Sequence, residues 1–310
     1  MARRRIAEQP TSRLAVWSRR IALFSLVATV IAVIVVRSGA LEIVPALSTL
    51  AGALMLAIFA ILLAFAAAVT IWRDGVGGIG EAVTGLFIGL VLIAYPLYVG
   101  AKAYRLPAIY DVTTDPIDPP RFEAIARLRP RDANPVTYAG LYTAEQQRVA
   151  YSDIEPDLTT ASPQEAYDAV LKVIVKRKWH VVDARPPQAT APRDGLIEAI
   201  ARTPILGFRD DVAVRVRATH EGARIDVRSA SRYGRHDLGS NAARVRALID
   251  DVDVMLAQPA KTEKSSAPPA PLPKPPAQAA GKGSSARRLV PPIDGAPSVA
   301  TTPRATRSSR

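Results

Sequence analysis

The sequence predicts an α-helical three-span membrane anchor, then an α+β two-layer sandwich, an antiparallel meander bracketed by two helices, and finally a disordered C-terminal tail. Three observations carry this reading. Apolar residues crowd into the first hundred positions, in runs near the length that crosses a hydrocarbon core of about 30 Å. A helix-capping signal, four strand-like runs and a closing amphipathic pattern follow between residues 158 and 258. Residues 259–310 then hold 11 of the 26 prolines and almost no large apolar side chain, a composition that cannot bury a core.

The 310 residues include no Cys, which excludes disulfide scaffolds, Cys-ligated zinc, iron–sulfur clusters and thiol catalysis. A net charge of +12 invites a nucleic-acid reading, but its distribution argues against one. Residues 121–258 carry 21 basic and 19 acidic side chains, whereas residues 259–310 carry 9 and 2. The basicity belongs to the tail, so no nucleic-acid partner is expected.

The three spans run from about Trp17 to Val36, Ala46 to Trp72 and Ala82 to Val99, behind a basic segment at residues 1–16. Arg19 and Arg20 must snorkel to the interface. A cleaved signal peptide fits less well, because the run is long for one and no small-x-small site follows Val36. Arg3, Arg4, Arg5, Arg13, Arg19 and Arg20 outnumber the basic residues of the first loop, so the positive-inside rule puts the N-terminus in the cytoplasm. Everything after Val99 is then expected on the periplasmic side of a bacterial inner membrane. The mid-span positions carry no ionisable residue, which argues against a proton relay or a charged-substrate transporter. Gly75–Gly80 spells GxGxxG, but it joins two apolar helices and reads as a turn. Gly85 and Gly89 let helix backbones approach closely, either inside the bundle or on a partner helix.

Residues 100–157 read as an extended linker, rich in Pro and polar residues. Asp111, Asp115 and Asp118 fall there at turn-forming positions; a calcium site would need a register that they lack. Ser162-Pro163-Gln164-Glu165 is a capping box with Pro in the first turn, and Tyr167, Val170, Leu171 and Ile174 continue as a helical stripe. Strands are expected at Trp179–Arg185, Leu196–Arg202, Val212–Thr219 and Arg224–Ser231, the last two joined across Glu221-Gly222. Pairing His220 with Ala223 sets Arg217 opposite Asp226 and Arg215 opposite Arg228. The second pair repels, so something negative should lie between them, either Glu198 or a ligand phosphate, carboxylate or lipid head group. Ser240 or Asn241 caps a last helix striped by Val245, Leu248, Ile249, Val252 and Leu256.

The stretch Arg228–Arg232, Asp237, Gly239, Asn241 and Arg244 resembles the signature of the family called domain of unknown function 1499, in which a strand ending in Arg-Ser-x-Ser-Arg leads through Asp-x-Gly-x-Asn-x-x-Arg into a final helix. The 111–120 stretch, the Glu198 strand, Thr203 and Asp210-Asp211 are similar to it as well. The resemblance implies a frequent membrane anchor and brings no established reaction. Candidate binding residues are Glu198, Arg215, Arg228, Arg232, Asn241 and Arg244. Candidate catalytic residues, for an acid/base or metal-dependent hydrolase, are Asp210, Asp211, His236 and Asp237, provided that their loops converge. No cofactor or metal motif accompanies them. The first functional expectation is a binding module of the cell envelope, its basic tail reaching anionic lipid or envelope polymer; the others are the hydrolase and an accessory subunit that packs through Gly85 and Gly89.

Overall fold

The computed structural model describes residues 10–188 and 193–257. The expected disordered tail at 259–310 and most of the basic N-terminal segment lie outside the described residues.

Three long helices form first: α1 (Arg13–Ser38), α2 (Ile43–Asp74) and α3 (Ile79–Arg105). Their most apolar windows have mean hydropathies of 2.4, 2.8 and 2.1, each long enough to cross a bilayer. Large side chains such as Phe24, Phe59, Leu62 and Phe87 face outward, while Ala53, Ala57, Ala60 and Ala64 are buried. Small residues inside and bulk outside is the arrangement expected where lipid is the solvent. Ser18 and Ser25 of α1 donate to the Ala60 and Ala53 carbonyls of α2, at 2.9 and 2.7 Å. The glycine pair of α3 is spent within the chain: a Cβ on Gly85 would stand 2.1 Å from Ser18 Oγ, and one on Gly89 2.6 Å from Ile61 Cγ1. The partner-helix expectation for Gly85 and Gly89 is therefore corrected, because α1 and α2 already occupy those faces. The Gly75–Gly80 run is a turn, with α2 ending at a left-handed Gly75 and Gly77 hydrogen bonded to Pro10 and Ser12.

The segment expected to be a linker is folded. It contains β1 (Asp111–Thr113), α4 (Ala124–Leu128), α5 (Leu141–Ala150) and β2 (Asp157–Thr159). Its polarity misleads because its carboxylates and amides are consumed by tertiary contacts. Gln147, for example, pairs with both the N–H and the C=O of Thr113.

After α6 (Pro163–Lys176), whose Ser162–Glu165 capping box is formed, a meander of β3 (His180–Arg185), β4 (Gly195–Arg202), β5 (Arg209–Thr219) and β6 (Gly222–Ser231) leads to α7 (Ser240–Ala257). The sheet order is β1-β6-β5-β4-β3, all antiparallel, and β2 shares the outer edge of β6 with β1. Helices α6 and α7 cover one face, burying Val170, Val173, Ile174, Val245, Leu248 and Val252 against Ile197, Val212, Val214, Val216, Ile225 and Val227. On the other face Phe122 and Ile125 pack over Ala213 and Ala230.

The β5–β6 register differs from the expected one by two positions. The turn is His220-Glu221, so Arg215 faces Asp226, Arg217 faces Arg224 and Arg228 faces Ala213. Gly222 is a strand residue rather than a turn residue because the β2 backbone crosses it: a Cβ there would stand 2.2 Å from the Thr159 carbonyl oxygen. A two-position shift preserves which face each side chain occupies. The apolar face therefore stands as expected, and only the charge partners change.

Candidate functional site

The outer face of β5 and β6 carries a charge lattice. Asp226 accepts from Arg215, Arg217 and Arg224 at 3.1, 2.7 and 2.8 Å. Asp115 and Asp118 reach in from the loop after β1, with Arg224 2.6 Å from Asp115 and Arg215 2.9 Å from Asp118. Asp115 also caps its own turn, accepting from the N–H groups of Ile117 and Asp118. Burial pulls its pKa up, but the Asp118 N–H and the charge of Arg224 pull it further down, below the usual carboxylate value. The expected Arg215/Arg228 clash is absent because the register separates the two.

Glu198 is not their counter-ion. It is fully buried, and its two carboxylate oxygens accept from the backbone N–H groups of Glu123, Ala124 and Ile125 at 2.8–3.0 Å, closing the first turn of α4. One carboxylate thus satisfies three otherwise orphaned donors. The counter-ion of Arg228 is Asp111, gripped by both arms of the guanidinium at 3.0 and 2.6 Å. Arg228 also donates to the Pro120 and Val136 carbonyls and lies 4.6 Å from the centroid of the Phe122 ring. Burial pushes the Asp111 carboxyl up, against the pull of Arg228.

The four candidate catalytic residues do not share a face. Asp211 lies on the Phe122 side, between Arg129 at 2.6 Å and Arg232 at 2.7 Å. Asp210 lies on the helix side and accepts from Arg244 of α7, with its carboxyl raised chiefly by burial. Asp237 accepts from the N–H groups of Gly239 and Asn241 and so starts α7; burial raises it too, against those two bonds. His236 Nδ1 accepts from the Leu238 N–H, which puts the ring proton on Nε2, beside the Ala103 and Leu106 carbonyls at the end of α3.

Asn241 joins these parts. Its Nδ2 donates to the Tyr110 carbonyl and Ser231 Oγ, and its Oδ1 accepts from Ser229 and Arg244. Asn241 is fully buried, and each of its polar atoms is engaged. The signature residues therefore knit the end of β6 to α7 and to β1, and the neighbouring His236 adds the link to the end of α3.

A cavity of about 460 Å³ opens where the domain meets the α1–α2 loop. Arg37, Arg202, Arg209 and Arg232 line it, against Glu42 and Asp132. Arg37, in the last turn of α1, donates to the Pro204 and Ile205 carbonyls of the β4–β5 loop. Of these residues, Arg232 alone is among the binding candidates expected from the sequence. The signal for Arg202 and Arg209 was present, since closing the hairpin across residues 203–208 faces the two directly. No sequence signal ties Arg37 to them, because it is 165 residues away along the chain from Arg202.

Residues 111–252 match the family described as protein of unknown function (DUF1499), so this part of the chain resembles that family. No curated protein matches the chain. No solved structure matches it either.

Proposed function

We propose that this chain is a binding module tethered to the bacterial inner membrane, with its N-terminus in the cytoplasm and its α+β domain on the periplasmic face, serving the cell envelope. The observation that carries the reading is how the polar side chains are spent. The charged groups that could have made a catalytic cluster are divided between two sheet faces and used to hold backbone and arginine partners. Arg202 and Arg209 remain without a carboxylate partner, in a basic cavity at the membrane boundary. Attachment at two points supports a domain held at the bilayer surface rather than hung from it: Arg37 grips the β4–β5 loop, and His236 grips the end of α3. The six arginines before residue 21 support the orientation. The basic tail at 259–310 adds, in this reading, a reach toward anionic lipid or envelope polymer.

The test is native mass spectrometry of the full-length chain, extracted gently from its own membranes. The reading expects reproducible non-covalent mass on the protein. A clean protein mass across several mild detergents contradicts it.

A further inference from the structure

We propose that the cavity between the α1–α2 loop and the end of the sheet binds a phosphate-bearing anion at the membrane surface. The inference deepens the binding reading and rests on it.

Arg202 and Arg209 sit directly opposite each other at the end of the β4–β5 ladder. Like charges in that position destabilise an antiparallel pair. Among the described residues, no carboxylate lies within ion-pair distance of either, or of Arg37. Elsewhere on the same sheet the fold answers its arginines with Asp111, Asp115, Asp118, Asp210, Asp211 and Asp226. Of the arginines on the described strands, Arg202 and Arg209 are the two left without a carboxylate, and both line the cavity.

The cavity wall adds the guanidinium groups of Arg37 and Arg232 to these two. Arg232 shares the carboxylate of Asp211 with Arg129, and both side chains are nearly fully buried. Guanidinium forks match phosphate oxygens in pairs, so the residue type fits the ligand class.

The remaining wall distinguishes the source. Leu41 and Ile43 line the side toward the anchor, and Glu42 and Asp132 stand among the arginines. A lipid head group with a phosphodiester and hydroxyl donors uses all three features: phosphate on the arginines, hydroxyls on the carboxylates, glycerol against the apolar side. Free phosphate uses only the first. The volume suits a head group, since small-molecule sites run from about 300 to 1,000 Å³.

The experiment titrates the full-length protein with phosphatidylglycerol and phosphatidylcholine by native mass spectrometry, and with inorganic phosphate by calorimetry. Phosphatidylglycerol should bind at least tenfold more tightly than phosphatidylcholine. The double variant Arg202→Ala/Arg209→Ala should lose tenfold or more of that affinity, with an unchanged or raised melting temperature, because the opposed charges are gone. The control Lys172→Ala/Lys176→Ala removes the same charge from α6 and should bind like the wild type. Inorganic phosphate binding as tightly as the lipid, and lost in the same double variant, supports the site with free phosphate as its source. Phosphatidylglycerol affinity equal in the double variant and the control overturns the proposal, as does equal binding of the two lipids. Non-covalent mass from native membranes that persists unchanged in the double variant keeps the binding reading and removes the cavity from it.

Discussion

Replacing Arg228 by Met tests whether the signature residues are scaffold. The guanidinium leaves behind a fully buried Asp111 carboxylate, the Pro120 and Val136 carbonyls without its donors, and an empty place beside Phe122. Removing one partner of a buried ion pair costs about 3–5 kcal/mol, because the other charge stays buried and unpaired. At about 2–4 °C per kcal/mol for a domain of this size, the melting temperature should fall by roughly 6–20 °C. The loss should depend on pH. Burial already raises Asp111, and Arg228 is the strongest influence pulling it down, so the variant's folded-state pKa climbs further above the ordinary 3.8. A raised folded-state pKa contributes stability that is present below the unfolded value and lost as pH rises through the folded one. The deficit against wild type should therefore be smaller at pH 4 than at pH 8. Asp111→Asn in the Arg228→Met background removes the stranded charge, and the double-mutant cycle should return a coupling of about 2–3 kcal/mol. Differential scanning fluorimetry of the full-length protein in detergent, at both pH values, reads all four forms. Additive single losses, or an Arg228→Met cost below about 1 kcal/mol, would refute the reasoning.

Other substitutions probe separate parts of the fold. Glu198→Ala strands three backbone donors of α4 and should cost about 3 kcal/mol, seen as an earlier thermal transition and faster amide exchange at Glu123–Ile125. Gly222→Ala drives a Cβ into the Thr159 carbonyl and should cost about 1–3 kcal/mol; a neutral result would mean that β2 does not cross β6 there. The carboxyl of Asp157 is raised by burial and then by the charge of Asp253, so its stabilising neutral form is present below about 3.8 and lost as pH rises. Asp157→Asn should accordingly add no more than about 1 kcal/mol of stability at pH 7 for a half-exposed group, seen as a slightly raised melting temperature, and change nothing near pH 3.

The architecture was legible where a local rule decides it. Apolar runs of spanning length gave the three anchor helices, and the Ser162–Glu165 box located the start of α6 to the residue. The alternation along β5 and β6 assigned each side chain to its face. Charge partners were not legible, because a turn displaced by one residue moves every cross-strand partner by two without disturbing the apolar pattern. Glu198 shows the limit most clearly: its neighbours along the chain point to an arginine, yet it holds backbone donors 73–75 residues away. The polar 100–157 segment hid its structure for the same reason, since Asp111 and Gln147 are matched only by partners that the tertiary fold supplies.

The periplasmic placement is tested most directly by single-cysteine labelling, which the absence of native Cys makes clean. Lys172→Cys lies exposed on α6, and Asp74→Cys lies exposed at the end of α2, at the opposite end of the anchor. With a membrane-impermeant maleimide applied to cells with a permeabilised outer membrane, the account predicts labelling at position 172, and labelling at position 74 only after the inner membrane is opened. The reverse pattern would place the domain in the cytoplasm and contradict the envelope-facing account.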